Sequence, residues 1–258
     1  MLKLKIRPLR HMTVALSAVA ALCLTGQTFA QSRAGSVLEI EVGAAWQDRN
    51  DVQIPNDSNG TRFALDGVTG PGPFFAPRIQ FSTALAPRHE FRLLAAPLGI
   101  KESGSLDKAV KFQGQTFAVG GVEAKYRFDS YRATWRYALH ENPDWTWKAG
   151  VTGKIRDAEI TLRQGGVTAT KSDTGFVPLL HLYGERRLDS RSRLTFEGDG
   201  LAGGRGRAFD LSARYVRDID ERVSVFAGLR VLDGGADSSS VYNFARLYYL
   251  TVGLQYRM

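Results

Sequence analysis

The chain of 258 residues carries 34 lysines and arginines against 26 acids, a net charge of +8, with a single cysteine. Lys3, Lys5, Arg7 and Arg10 open the chain and the other basic residues are dispersed, which excludes the clustered footprint of a nucleic-acid binder. Cys23 lies in an apolar run near the start, so residues 31–258 have no disulfide, thiolate or cysteine-metal chemistry.

Taken in order, residues 1–30 read as a secretory signal peptide: a basic start, the apolar run Thr13 to Gly26, then Thr28-Phe29-Ala30, with cleavage expected between Ala30 and Gln31. The run is shorter than the ~20 residues a spanning helix needs. Residues 31–258 contain no linker or composition shift and are expected to form one domain.

Val37 to Gln47 alternates Leu38, Ile40, Val42, Ala44 and Trp46 against Glu39, Glu41 and Gln47, the period of a strand. Asp48 to Ala76, rich in Asn, Asp, Gly and Pro, reads as a long loop. Arg78 to Leu85 and Glu90 to Ile100 follow as strands joined by a tight turn. Lys101 to Gly121 is a second long connection. Val122 to Leu139 is then a long strand whose apolar set shifts phase at Asp129-Ser130, which predicts a bulge or the strand leaving a membrane there.

The remaining strands are expected at Trp145 to Arg163, Phe176 to Leu188, Arg193 to Leu201, Ala208 to Val216, Val223 to Leu232 and Val241 to Met258. Gln164 to Asp173 reads as a modest loop, and Pro178, with no donor for a ladder, belongs at a bulge or near a strand end. The count is ten strands, with tight turns at the end that holds both termini and longer connections at the other.

The closing segment sharpens the class. Tyr248, Leu250, Val252, Leu254, Tyr256 and Met258 share one face, and Thr251, Gly253, Gln255 and Arg257 the other. Thr251, Gly253, Tyr256 and Met258 resemble, position by position, the C-terminal assembly signal of bacterial outer-membrane β-barrels, with Met258 where that family usually has Phe or Trp. The resemblance implies an all-β fold: a single antiparallel up-and-down transmembrane barrel of about ten strands, Gram-negative and porin-like, in the bacterial outer membrane. It also implies as partners outer-membrane lipid and lipopolysaccharide, periplasmic chaperones and the barrel-assembly machinery. No cofactor, metal or nucleic acid is expected, and nothing in the sequence specifies an oligomeric state.

In such a barrel the charged face of each strand lines the lumen. The expected lumen residues are Glu39, Glu41, Lys125, Arg127, Arg132, Arg136, Lys148, Lys154, His181, Glu185, Arg187, Glu197, Asp199, Asp210, Arg214 and Arg230. Their mixed charge predicts salt bridges filling much of the interior. Trp46, Tyr126, Phe128, Trp135, Tyr137, Trp145, Trp147, Phe176, Tyr248 and Tyr256 lie toward strand ends, where lipid-interface aromatics belong.

The functional expectation is a non-enzymatic barrel, structural or a narrow passive channel for small solutes. One alternative is an outer-leaflet enzyme, a protease or a lipid-modifying one. The rim acids Asp48, Asp51, Asp157, Asp233 and Asp237 have no histidine with them, however, and His181-Leu-Tyr183 lacks the His-x-Ser arrangement of lipid A deacylases. Another alternative is a secreted soluble β-sandwich binding protein, whose strands would alternate in the same way.

Overall fold

A computed structural model describes residues 35–258, and the expected leader with its Ala30–Gln31 cleavage site lies outside the described residues. In chain order the elements are β1 (Val37–Gln53), β2 (Phe63–Ala64), α1 (Asp66–Thr69), β3 (Phe74–Ala86), β4 (His89–Ala96), β5 (Gly99–Leu106), β6 (Val110–Phe112) and β7 (Gln115–Phe117). They continue as β8 (Gly120–Glu141), β9 (Trp145–Gln164), β10 (Val167–Arg187), β11 (Ser192–Gly203), β12 (Gly206–Asp218), β13 (Val223–Asp237) and β14 (Tyr242–Arg257).

Ten antiparallel strands close into a barrel in the order β1, β3, β4–β5, β8, β9, β10, β11, β12, β13, β14, with β14 pairing back onto β1 from Val37↔Arg257 to Gln53↔Tyr242. β4 and β5 act as one wall strand, both paired with β8 and interrupted at Pro97-Leu98. Closure pairs every wall strand on both sides toward the termini end, the condition for a sheet that crosses lipid.

The outward positions explain why closure suits these residues. Ile40, Val42, Ile79, Val151, Leu180, Leu211, Leu229, Leu250 and Val252 are all exposed on the outer surface. A continuous apolar belt of this kind is stable only against lipid or a partner. It alternates with inward polar side chains, so the molecule has no dry core at that level. This is the inverse of a soluble sandwich, whose large apolar residues face inward.

Several strands run further than their alternation predicts. β1 continues to Gln53 and β3 begins at Phe74, so only part of the expected Asp48 to Ala76 loop is irregular. β9 and β10 pair up to Gln164↔Val167, leaving Gly165 and Gly166 as the turn. Both have positive φ, 54° and 86°, as a tight two-residue hairpin requires. These extensions stand beyond the apolar belt, where water on the outer face removes the pressure for alternation.

The expected break in β8 at Asp129-Ser130 has a different cause. The strand is continuous, and its even-numbered residues face inward throughout, from Val122, Ala124 and Tyr126 to Ser130, Arg132, Thr134 and Arg136. What changes at that level is the interior, apolar above and charged below. Tyr126 is therefore an interior residue, 1% exposed and stacked on Phe128, and not an interface aromatic.

The apolar interior belongs to the far end, opposite the termini. There β2, α1 and the β6–β7 hairpin fold in against the wall and bury Val52, Leu65, Val110, Phe112, Phe117, Ile100, Leu162 and Leu247. Gly104 allows the approach of α1: a Cβ there would stand 2.1 Å from the Val68 carbonyl oxygen. Polar contacts pin the loop. Gln47 Nε2 donates to Thr69 Oγ1 at 2.7 Å and to the Gly70 carbonyl at 2.7 Å, and Asn50 N donates to Asp66 Oδ1 at 3.0 Å.

Candidate functional site: the barrel interior and its far mouth

The alternation that turns the apolar set toward lipid turns long charged side chains toward the axis, where most meet a partner on another strand. Nearest the termini, Arg193 donates to Asp218 Oδ1 at 2.7 Å and to Gln255 Oε1 at 2.8 Å, and Arg257 reaches Asp218 at 2.9 Å. Tyr183 donates to Glu185 at 2.7 Å.

One level further in, Glu90 accepts from Arg136 and from Lys148 at 2.6 Å, while Arg136 lies over the Tyr183 ring at 4.4 Å. Opposite, Arg214 donates to Glu39 at 2.6 Å and stands 3.5 Å from Glu41, and Gln255 holds the second Glu39 oxygen at 2.8 Å.

The next layer is the most buried. Arg92, wholly inaccessible, bonds Glu197 and lies 3.7 Å from Asp199, and Arg78 lies 3.6 Å from Glu197. Arg132 bridges Asp199 at 2.8 Å and Asp210, and Arg230 grips Asp210 with two bonds of 2.6 and 2.8 Å. Asp199 also accepts from Thr152 at 2.7 Å and from His181 Nδ1 at 2.9 Å. Because a carboxylate only accepts, Nδ1 carries the proton.

His181, Glu197 and Asp199 bring one ligand atom each within 4.8 Å, close enough to surround a cation. Guanidinium groups already occupy both carboxylates, so this cluster reads as part of the ion-pair network.

Thirteen of the sixteen expected lumen residues stand on the inward face in this network or beside it, and three do not. Lys125 and Arg127 belong to the outward phase of β8, flanking the buried Ala124 and Tyr126, and pair with Glu159 on the outside of the strand extension. Their misplacement follows from reading apolar residues as outward at a level where the interior itself is apolar. Arg187 is exposed at the termini-end rim, below the last interior layer.

Sequence reasoning also missed Arg78, Glu90, Arg92 and Arg193. Arg78 was findable, since Arg78, Gln80 and Ser82 form a polar face opposite Ile79 and Phe81. Arg92 was not, because Leu94 and Ala96 share its buried face and hide the alternation.

Above the ionic layers the far mouth opens as a cavity of about 380 Å³. Arg132, Lys154, Asp199 and Asp210 lie at its floor, β9 and β10 form one wall, and β11 to β14 form the other. At the opposite end of β14, Thr251 and Gly253 face inward and Tyr256 and Met258 outward. Gly253 lies against the Phe226 ring, where a Cβ would come within 2.3 Å of it.

No family model and no curated protein matches this chain. Among solved structures it is similar to the outer membrane protease OmpT from Escherichia coli, with a TM-score of 0.56 at 9% identity over 90% of this chain and 99% of that one. Neisserial surface protein A matches with a TM-score of 0.37 at 12% identity over 86% and 97% of the two chains. Ail of Yersinia pestis matches with 0.39 at 8% identity over 87% and 99%. At 9% identity the likeness to OmpT is one of fold. The chain thus has the fold of the outer-membrane β-barrels, ten antiparallel strands closed into a cylinder with an apolar exterior and a charged interior.

Proposed function

We propose that this protein is a non-enzymatic barrel of the bacterial outer membrane whose axis is closed to solutes. The observation that carries the reading is the buried layer of Arg92, Arg132, Arg230, Asp199, Asp210 and Glu197, which spans the interior with mutually bonded side chains. A barrel of this size has little room inside, and guanidinium–carboxylate pairs reaching in from several strands obstruct a continuous water path. In planar bilayers the protein is expected to give no steady open-pore current, and large steady currents would overturn the proposal.

The termini and tight turns face the periplasm in this reading, and the long loops face outward. Its partners are outer-membrane lipid and lipopolysaccharide, periplasmic chaperones, and the barrel-assembly machinery reading Thr251, Gly253, Tyr256 and Met258. Removing residues 251–258 should abolish insertion, scored by loss of the mobility difference between boiled and unboiled samples on a gel.

The chemistry of the rim supports the non-enzymatic reading. Asp233 is bonded by Arg207 and Arg246, Asp157 by Arg127 at 3.0 Å, and Asp237 accepts from Asn56 at 2.8 Å. Among the described residues His89 and His140 lie near the termini-end turns and His181 in the lumen, so no histidine stands at the far rim to act as a base. Asp233→Asn should leave peptide and lipid A hydrolysis assays at background.

A further inference from the structure

The barrel wall is incomplete in its far half, where β5 has no ladder partner on its β3 side and β10 parts from β11. β10 stays paired with β9 as far as Val167↔Gln164, but its ladder with β11 ends at Leu180↔Gly200. Beyond that vertex β10 and β11 are no longer hydrogen-bonded to each other, and the mouth cavity is lined by both sides of the seam. Pro178 supplies a local reason. It has no N–H, and it sits within the β9-paired stretch just past the last β11 pair, so its nitrogen offers nothing to β11.

Lys154 stands directly behind this seam, in register with Val177 of β10. It is 4% exposed and lines the cavity. Among the described residues it has neither an ion pair nor a hydrogen bond, and its Nζ lies 4.7 Å from the Phe128 ring centroid. Arg132 is its register partner on β8, and Arg156 and Asp210 line the same cavity. Asp210 is already held by Arg132 and Arg230, and Arg156 is bonded to Asp173. A buried ammonium without a partner is costly, and an anion from outside the chain would satisfy it.

The outer surface below the vertex continues the path. A groove of about 620 Å³ runs over Gly184, Gly198 and Gly200, and shares Asp199 and Phe209 with the mouth cavity. On the lipid face the Trp147 and Phe209 rings and the Leu211 side chain lie over these glycines, and the groove runs between them and Leu180 and Leu182. An interior cation, an unpaired seam in the wall and an exterior apolar track thus lie in sequence.

We propose that the mouth cavity binds a single-chain anionic amphiphile, with its carboxylate or phosphate head on Lys154 and its alkyl chain leaving through the β10–β11 seam onto the glycine groove. The cavity volume is within the ~300–1,000 Å³ of small-molecule sites. A free amphiphile and a lipid of the surrounding leaflet present the same chemistry. The site lies above the closed ionic layers, so it stands whether or not the axis conducts.

The test uses the full barrel in an uncharged maltoside detergent, titrated with carboxyl-¹³C dodecanoate and separately with dodecyl phosphate, reading the ¹³C or ³¹P shift. Saturable binding is expected for wild type. Lys154→Gln should weaken it by at least about tenfold through loss of one charge-assisted hydrogen bond, whereas Lys154→Arg should keep it. Leu180→Trp, which narrows the outer groove at the vertex, should weaken dodecanoate but leave butyrate unchanged. Gel mobility of unboiled samples establishes that each variant is folded. Mass analysis of lipid extracted from barrel purified from membranes separates the sources: a stoichiometric co-purifying lipid assigns the leaflet, and its absence alongside dodecanoate binding assigns a free amphiphile. No saturable binding of either probe to wild type, or equal affinity in Lys154→Gln, overturns the proposal.

Discussion

The interior near the termini and the interior at the far end are enclosed by the same ten strands, and they are filled in opposite ways. In the first, the wall fills itself: arginines long enough to reach the axis meet carboxylates from other strands, as Arg92, Arg132 and Arg230 do at Glu197, Asp199 and Asp210. In the second, loops do the filling, and Phe112, Phe117, Val110 and Leu65 are carried inward by segments that are not part of the wall. Ionic filling depends on each partner being present, because one lost group strands another in a poorly hydrated place. Apolar filling depends on volume, and it can loosen without exposing a charge.

The largest expected effect tests the ionic half. Arg132→Met removes the bridge between Asp199 and Asp210 and should cost about 3–5 kcal/mol, as for a buried pair deprived of one partner. Thermal loss of the fast-migrating gel form measures it. A loss no greater than that of a surface arginine would mean that water fills this layer.

Phe112→Ala tests the other half, with an expected cost of about 3 kcal/mol. The cost should appear as faster proteolysis within residues 54–73 while the barrel band is unchanged. If the barrel melted earlier instead, the two fillings would be one cooperative unit. Gly104→Ala is expected to cost about 1–3 kcal/mol by overpacking, because its Cβ meets the Val68 carbonyl, and should displace α1 with the same protease signature.

The smallest effect falls outside both halves. In the turn of residues 219–222, Asp220 Oδ1 accepts from the Arg222 and Val223 N–H groups, each at 2.8 Å, and these bonds hold its carboxyl below the ordinary carboxylate range. A lowered folded-state pKa stabilises above the unfolded value, and the contribution is lost as pH falls through the folded one. Asp220→Asn should therefore lower the melting temperature slightly at neutral pH and not at all in strong acid.

The halves also differ in how legible they were. Where lipid covers the outside and charges fill the inside, alternation is enforced on both faces, and β1, β9, β12, β13 and β14 could be read directly from sequence. Where the inside turns apolar, the same signal inverts without the strand turning. Lys125 and Arg127 were assigned inward for that reason, and a bulge was expected in β8 where there is a change of filling. Where water lies outside, as along Val167 to Gly175, little alternation survives and strand resembles loop. The mouth was not legible at all, since the seam depends on where one ladder ends and Lys154 gains its meaning only from partners it lacks.

That early end of the β10–β11 ladder also bears on the membrane itself. Backbone groups cannot face hydrocarbon unpaired, so on this side the apolar region of the bilayer can rise no higher than Leu180↔Gly200. From there to Arg187↔Arg193 the ladder offers a height of roughly 20 Å, at ~3.4 Å per residue and a strand tilt of ~40°. The apolar band of such barrels is ~25 Å tall, so lipid beside the seam must thin or the barrel must lean toward it. Where the lipid thins, acyl chains shorten, and the patch of leaflet next to the seam becomes the easiest place for a chain to leave or enter the bilayer.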